Sequence, residues 1–132
     1  MRKRVVMFLA ILLLLASVCW PAAEAHAAMM NLQGSCTLSV SGKSVTFSGR
    51  STSSTIEDTI QVTVSLWEQR NGTWYEISSV SKTKQNTMQV TASKTVTVSG
   101  GYYYKVTAVH FSQTGSTSHT TYSSTSSRWI PS

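Results

Sequence analysis

From residue 36 onward, apolar side chains fall on every second position, with serine and threonine between them. Cys36, Leu38 and Val40 alternate with Thr37, Ser39 and Ser41, and Val45 and Phe47 follow the Gly42-Lys43 turn. Ile60, Val62, Val64 and Leu66 alternate in the same way, as do Met88, Val90 and Ala92, then Val96 and Val98. Tyr102, Tyr104, Val106 and Ala108 form the last strong series. A period of two belongs to a strand with one buried face, and the branched threonines between suit a pleated surface. The pattern predicts strands at 36–41, 43–49, 58–70, 73–82, 87–98, 101–111 and 117–130, with a polar loop over 50–55. The last of these is weakly patterned and reads as an edge strand. About seven strands over roughly 100 residues predict an all-β fold, a single antiparallel β-sandwich with one core.

Asn71-Gly72 is the sharpest local signal. Between two alternating runs the pair predicts a type I′ hairpin, whose two central residues both need positive φ. That turn pairs Arg70 with Thr73, Glu68 with Tyr75 and Leu66 with Ile77. Tyr75 and Ile77 then join Leu66 on the core face. The predicted inward set is Leu38, Val45, Phe47, Val62, Val64, Leu66, Ile77, Val90, Val96, Tyr104, Val106 and Ala108. Trp67, across from Glu76, and Trp74, across from Gln69, fall on the opposite face as diagonal neighbours. Tyr103, Val109 and Phe111 take outward positions on another strand.

The start of the chain follows a different rule. Met1-Arg2-Lys3-Arg4 precedes an uncharged stretch whose core, Phe8 to Leu15, is strongly apolar. Pro21 and Ala25-His26-Ala27 complete the pattern of a secretory signal cleaved after Ala27, with Ala23-Glu24-Ala25 as the alternative site. Domains are thus expected as a signal at 1–27 and a β domain at 28–132, secreted and free of the membrane once cleaved. The apolar run is shorter than the roughly 20 residues of a membrane span. The residues around Cys19 do not form a lipidation motif.

Composition changes the picture modestly. The chain carries Lys+Arg 11 against Asp+Glu 5. Beyond residue 27 the cations are scattered, from Lys43 to Arg128, and form no stripe, so nucleic acid is not an expected partner. A mildly basic exported chain is instead drawn to polyanionic polymers of the cell envelope. Cys36 is the one cysteine of the expected mature chain; it is either a small buried side chain or an intermolecular bridge.

Catalytic chemistry finds little support. Glu57 and Asp58 are adjacent in a loop, while Glu68 and Glu76 fall on opposite hairpin faces, so no carboxylate pair converges. His110, His119 and Cys36 match no zinc spacing, and no glycine-rich phosphate loop occurs. No catalytic, metal or cofactor residue is assigned, and the chain is read as no enzyme. His110 reads as a hydrogen-bonded histidine at the core rim.

Large aromatics on a face that should be solvated require a reason. They are either a cross-strand packing pair, or a patch under the serine-rich tail, or a binding platform whose rings stack on sugars or meet a protein. Trp67, Trp74 and Tyr103 are the candidate binding surface.

Two resemblances accompany this reading. Tyr102-x-Tyr104-x-Val106-x-Ala108-Val109 resembles the penultimate strand of fibronectin type III and immunoglobulin-like domains, with Gly100-Gly101 as the preceding corner. The resemblance implies that Tyr102 is the corner's hydrogen-bonding tyrosine. The chain departs from that family in placing Phe47 where an early tryptophan is usual. Over the mature length, the lone cysteine, the Leu-Ser-Val-Ser-Gly-Lys-Ser-Val-Thr hairpin, the Asn-Gly-x-Trp turn and the Gly-Tyr-Tyr-Tyr-Lys-Val-x-Ala-Val-His block resemble a family of small secreted proteins from Gram-positive bacteria. That family carries no assigned activity. The leading expectation is a secreted, non-catalytic binding module for cell-envelope or environmental polysaccharide, or for another protein. The alternatives are a self-assembling extracellular structural protein that pairs through its strand edges, and a secreted toxin or inhibitor.

Overall fold

The computed structural model describes residues 31–132. The signal expected at 1–27, and Cys19 within it, lie outside the described residues. The strands are β1 (Leu32–Ser41), β2 (Ser44–Arg70), β3 (Thr73–Thr97), β4 (Tyr102–Thr114), β5 (Thr117–Ser124) and β6 (Arg128–Ile130). All pairings are antiparallel.

Among the described residues six strands stand where about seven were expected, and the difference has a physical cause. The polar stretch 50–55 is not a loop. Residues 50–53 keep ladder partners and 54–55 continue extended, so the segments expected at 43–49 and 58–70 fuse in β2, as do those expected at 73–82 and 87–98 in β3. The tail divides instead, into β5 and β6. Serine and threonine satisfy a strand as readily as a loop when their hydroxyls find partners, as in the Thr37–Ser48 contact at 2.6 Å and the Thr46–Thr95 contact at 2.8 Å.

The long β2–β3 hairpin organises the sheet. β3 lines one edge of β2 along most of its length. The other edge is shared, with β1 on residues 44–53 and β4 on residues 59–69. Between them the register breaks from Thr52 to Glu57, and the sheet curls. Glu57 fixes the bend: its carboxylate accepts from Ser53 at 2.6 Å, from Thr55 at 3.3 Å and from Thr114 of β4. Asp58 accepts the Gly115 amide at 2.9 Å, tying the bend to the β4–β5 turn.

The curl brings inner faces together. Val45, Phe47, Val90 and Ala92 from one half meet Ile60, Val62, Val64, Leu66, Tyr104, Val106 and Ala108 from the other, all buried. Leu38 and Val96 pack at the margin of this core. Ile130 of β6, outside the expected inward set, is fully buried as well. Cys36 is half-buried, its Sγ 3.7 Å from the Val106 carbonyl.

The hairpin turn matches expectation, with Asn71 at φ 51° and Gly72 at φ 79°. Arg70 pairs with Thr73, Glu68 with Tyr75 and Trp67 with Glu76. One residue further the expected register fails. A bulge leaves Ile77 unpaired and sets Leu66 against Ser78, not Ile77. Ile77 is 40% exposed and Tyr75 52%, so neither belongs to the core. Tyr75 does share a face with Glu68, but it lies near the hairpin tip on an edge strand.

Candidate aromatic binding face

Parity along β2 and β4 builds the outer face. Since Leu66, Glu68, Tyr104 and Val106 point inward and are buried, Trp67, Gln69, Tyr103 and Lys105 point outward. The register then places Trp74, Gln69, Tyr103 and Trp129 in one line across β3, β2, β4 and β6. Four adjacent strands set the ends of that line about 14 Å apart. The next row holds Glu76, Trp67 and Lys105.

Each ring is held differently. Trp67 is half-buried and its indole N–H donates to Thr107 Oγ1 at 2.8 Å. The Lys105 ammonium lies 4.4 Å from the centre of the half-buried Trp74 ring, a cation–π geometry. Tyr103 and Trp129 meet edge to face, with centroids 5.1 Å apart, and remain 44% and 49% exposed. Trp67 and Trp74 therefore share the outer face, as parity requires, but they are anchored by Thr107 and Lys105. The aromatic pair on this face is Tyr103 with Trp129. Sequence reasoning missed Trp129 because the tail is weakly patterned; only its pairing with β4 reveals it.

The face continues along β4. Val109 is exposed and pairs with Tyr122 of β5, which is 74% exposed. Between them runs an open groove of about 280 Å³ lined by Thr107, Ala108, Val109, Tyr122, Ser123 and Ser124. Phe111, also outward, is half-buried.

The inner polar groups serve the fold. His110 is fully buried, not at a rim. Its Nδ1 lies 2.8 Å from Ser51 Oγ, and its Nε2 lies 2.7 Å from Ser123 Oγ. Ser51 uses its single proton on the Gln61 carbonyl at 2.8 Å, so its oxygen must accept from His110 Nδ1–H. Nε2 then accepts from Ser123. Burial disfavours the imidazolium and lowers the His110 pKa. No carboxylate among the described residues hydrogen-bonds to this ring, so the serine–histidine contacts do not form a charge-supported nucleophile.

Glu68 is buried beneath Tyr104, whose hydroxyl donates to it at 2.7 Å, and it is also paired with Arg70. The same hydroxyl approaches the Ser99 carbonyl, so the tyrosine that hydrogen-bonds back to the segment before β4 is Tyr104, not the expected Tyr102. Tyr102 instead lies under the Arg70 guanidinium, 5.2 Å from the ring centre. Burial, and then the hydrogen bond to Glu68, raise the Tyr104 pKa. At Glu57, burial alone would raise the pKa. The bonds from Ser53, Thr114 and Thr55, with the nearby charge of His119, outweigh it and hold the carboxyl below its usual value. Among the described residues, no three His, Cys, Asp or Glu side chains are grouped to hold a metal ion.

The chain matches no protein-family model and no curated protein. Three solved structures share part of its β architecture. R. palustris CsgH superposes with a TM-score of 0.45 at 18% identity, over 70% of this chain and 89% of that one. A DUF3823 family protein from Bacteroides uniformis gives 0.45 at 17% identity, over 78% of this chain and 57% of that one. Spo0M, a sporulation control protein from Bacillus subtilis, gives 0.42 at 14% identity, over 77% and 50%. At these scores the likeness transfers no activity, ligand or partner.

Proposed function

We propose that the chain is an exported, non-catalytic binding module of the immunoglobulin-like sandwich class, similar to small secreted proteins of Gram-positive bacteria. Its ligand is polysaccharide of the cell envelope or the surroundings. The observation that carries this reading is the line Trp74, Gln69, Tyr103 and Trp129, in which the half-buried Trp74 and the exposed Tyr103 and Trp129 share one face of the sheet with an amide. Flat apolar rings suit the faces of sugars, while Gln69, Thr107 and Ser124 offer hydrogen bonds to hydroxyls. The facing halves of the curled sheet support the sandwich class. No helix among the described residues is long and apolar enough to cross a membrane.

Retention of the purified protein on insoluble glycan tests the reading. Trp129→Ala and Trp74→Ala should each weaken retention about tenfold, the loss typical of an aromatic anchor. Trp67 is the poorer probe, because its bond to Thr107 gives it a structural share. Retention unchanged in both variants, or no retention of the unsubstituted protein on any glycan, overturns the proposal.

A further inference from the structure

The charges are not distributed as the composition implies. Glu57 and Glu68 are buried and hydrogen-bonded, and Asp58 is engaged at the β4–β5 turn. Arg70 is the only cation paired with a carboxylate among the described residues. No acidic residue follows Glu76 in the chain. Of the four carboxylates among the described residues only Asp58 and Glu76 are exposed, so Lys and Arg outnumber carboxylates at the solvent-facing surface.

Part of that surplus is ordered. Among the described residues β3 pairs with β2 alone, which leaves its far edge without a strand partner there. The bulge at Ile77 shifts parity there, so Lys82 and Lys84 stand opposite Val62 and Ile60 on the inner side. Lys94 stands opposite Phe47 on the same side. All three are exposed. Without the bulge Ser81 and Thr83 would hold those inner positions, and the lysines would turn outward. Lys82 and Lys84, two residues apart, lie about 6.7 Å from one another along the strand. No carboxylate shares their side of β3. Their stems can cover the margin of the core while the ammonium groups stay in water.

We propose that this lysine-bearing rim of β3 is a second interaction surface, which binds a linear anionic glycan. Charge complementarity carries the assignment: a row of unpaired cations on an extended edge matches a polymer with regularly repeated negative groups. Nucleic acid fits less well, because no aromatic ring stands between these lysines for a base to stack on. The rim lies on the opposite side of the sheet from the aromatic line, so the inference does not rest on the function proposed above.

The test measures binding of polygalacturonate, with uncharged dextran as comparison, for the unsubstituted protein and two charge-matched variants. Lys82→Glu/Lys84→Glu keeps the edge charged and therefore guarded against strand pairing. It should lose at least tenfold in affinity at low salt. The slope of log K on log salt should also fall by about 1.4, the share of two contacts. Lys43→Glu/Arg50→Glu makes the same change of net charge elsewhere and should retain most of the affinity. Equal losses in both variants would reduce the effect to net charge and overturn the proposal. Unchanged affinity in Lys82→Glu/Lys84→Glu, or tighter binding of a single-stranded oligonucleotide than of polygalacturonate, would overturn it too. Because the aromatic residues are intact in both variants, failure here leaves the retention of Trp74→Ala and Trp129→Ala to be judged separately.

Discussion

Single atoms decide the packing where the two halves of the sheet meet. A Cβ at Gly34 of β1 would stand 2.0–2.3 Å from ring atoms of His110. The ring cannot swing away cheaply, since Ser51 and Ser123 hold its two nitrogens. Gly34→Ala should therefore cost about 3 kcal/mol, at the upper end of overpacking penalties, read as a lower urea midpoint at unchanged slope. His110→Ala removes the obstacle, so the double variant should be less destabilised than the sum of the singles. A Gly34→Ala midpoint within error of the parent would show that the ring is not fixed. Little of this was legible beforehand. His110 could be seen to end the inward series of β4, but its burial depends on Gly34 and Ser51, which lie on other strands. Nothing in the local pattern of 102–111 reveals them.

At the scale of elements, alternation identifies faces but does not count residues across a ladder. The Asn71-Gly72 turn was legible because positive φ at two successive positions is a strong local demand. Trp67 and Trp74 follow from it, and their shared face was legible too. The bulge at Ile77 was not, since Ile77 is apolar and its spacing from Tyr75 suits a regular strand. A single extra residue reverses parity for the rest of that pairing. The corrected register makes a sharp prediction. Ile77→Ser should change stability by less than about 0.5 kcal/mol, as an exposed substitution does. Leu66→Ala, beside the bulge on the facing strand, should cost about 2–5 kcal/mol. Thermal denaturation of both variants is sufficient, and an Ile77→Ser loss comparable to that of Leu66→Ala would restore the regular register. Fusion of the strands at 50–55 was illegible for a related reason. Ser51 and Ser53 are buried and bonded, to Gln61 and His110 and to Glu57, and their partners are invisible from composition.

For the whole molecule, the curl places three titratable groups where pH acts on the joint between halves. His110 is neutral, and burial lowers its pKa from the ordinary 6.5. In acid the unfolded chain therefore takes up that proton first. Stability from this group is complete above about pH 6.5 and is lost as pH falls toward the lowered value. Glu57 acts in a second, lower window. Its carboxyl lies below the ordinary 4.5, so its contribution is present above that value and is lost as pH falls through the folded pKa. Tyr104 is shifted the other way: its raised pKa confers stability that is whole below the ordinary 10 and fades only as pH climbs above it. Each window can contribute a slope of at most about 1.4 kcal/mol per pH unit, one proton's worth. The expected profile of unfolding free energy is a plateau from about pH 7 to 9, with a first decline beginning near 6.5. His110→Gln should sit lower at pH 7.5, having lost the fit to Ser51 and Ser123, and should be flatter than the parent between pH 6.5 and 5. Urea titrations at pH 7.5, 6.0 and 5.0 on both proteins make the comparison. A parent whose stability is level across that range would mean that His110 gains its proton as easily inside the protein as outside, which a ring enclosed by Gly34, Ser51 and Ser123 with no carboxylate bonded to it cannot do.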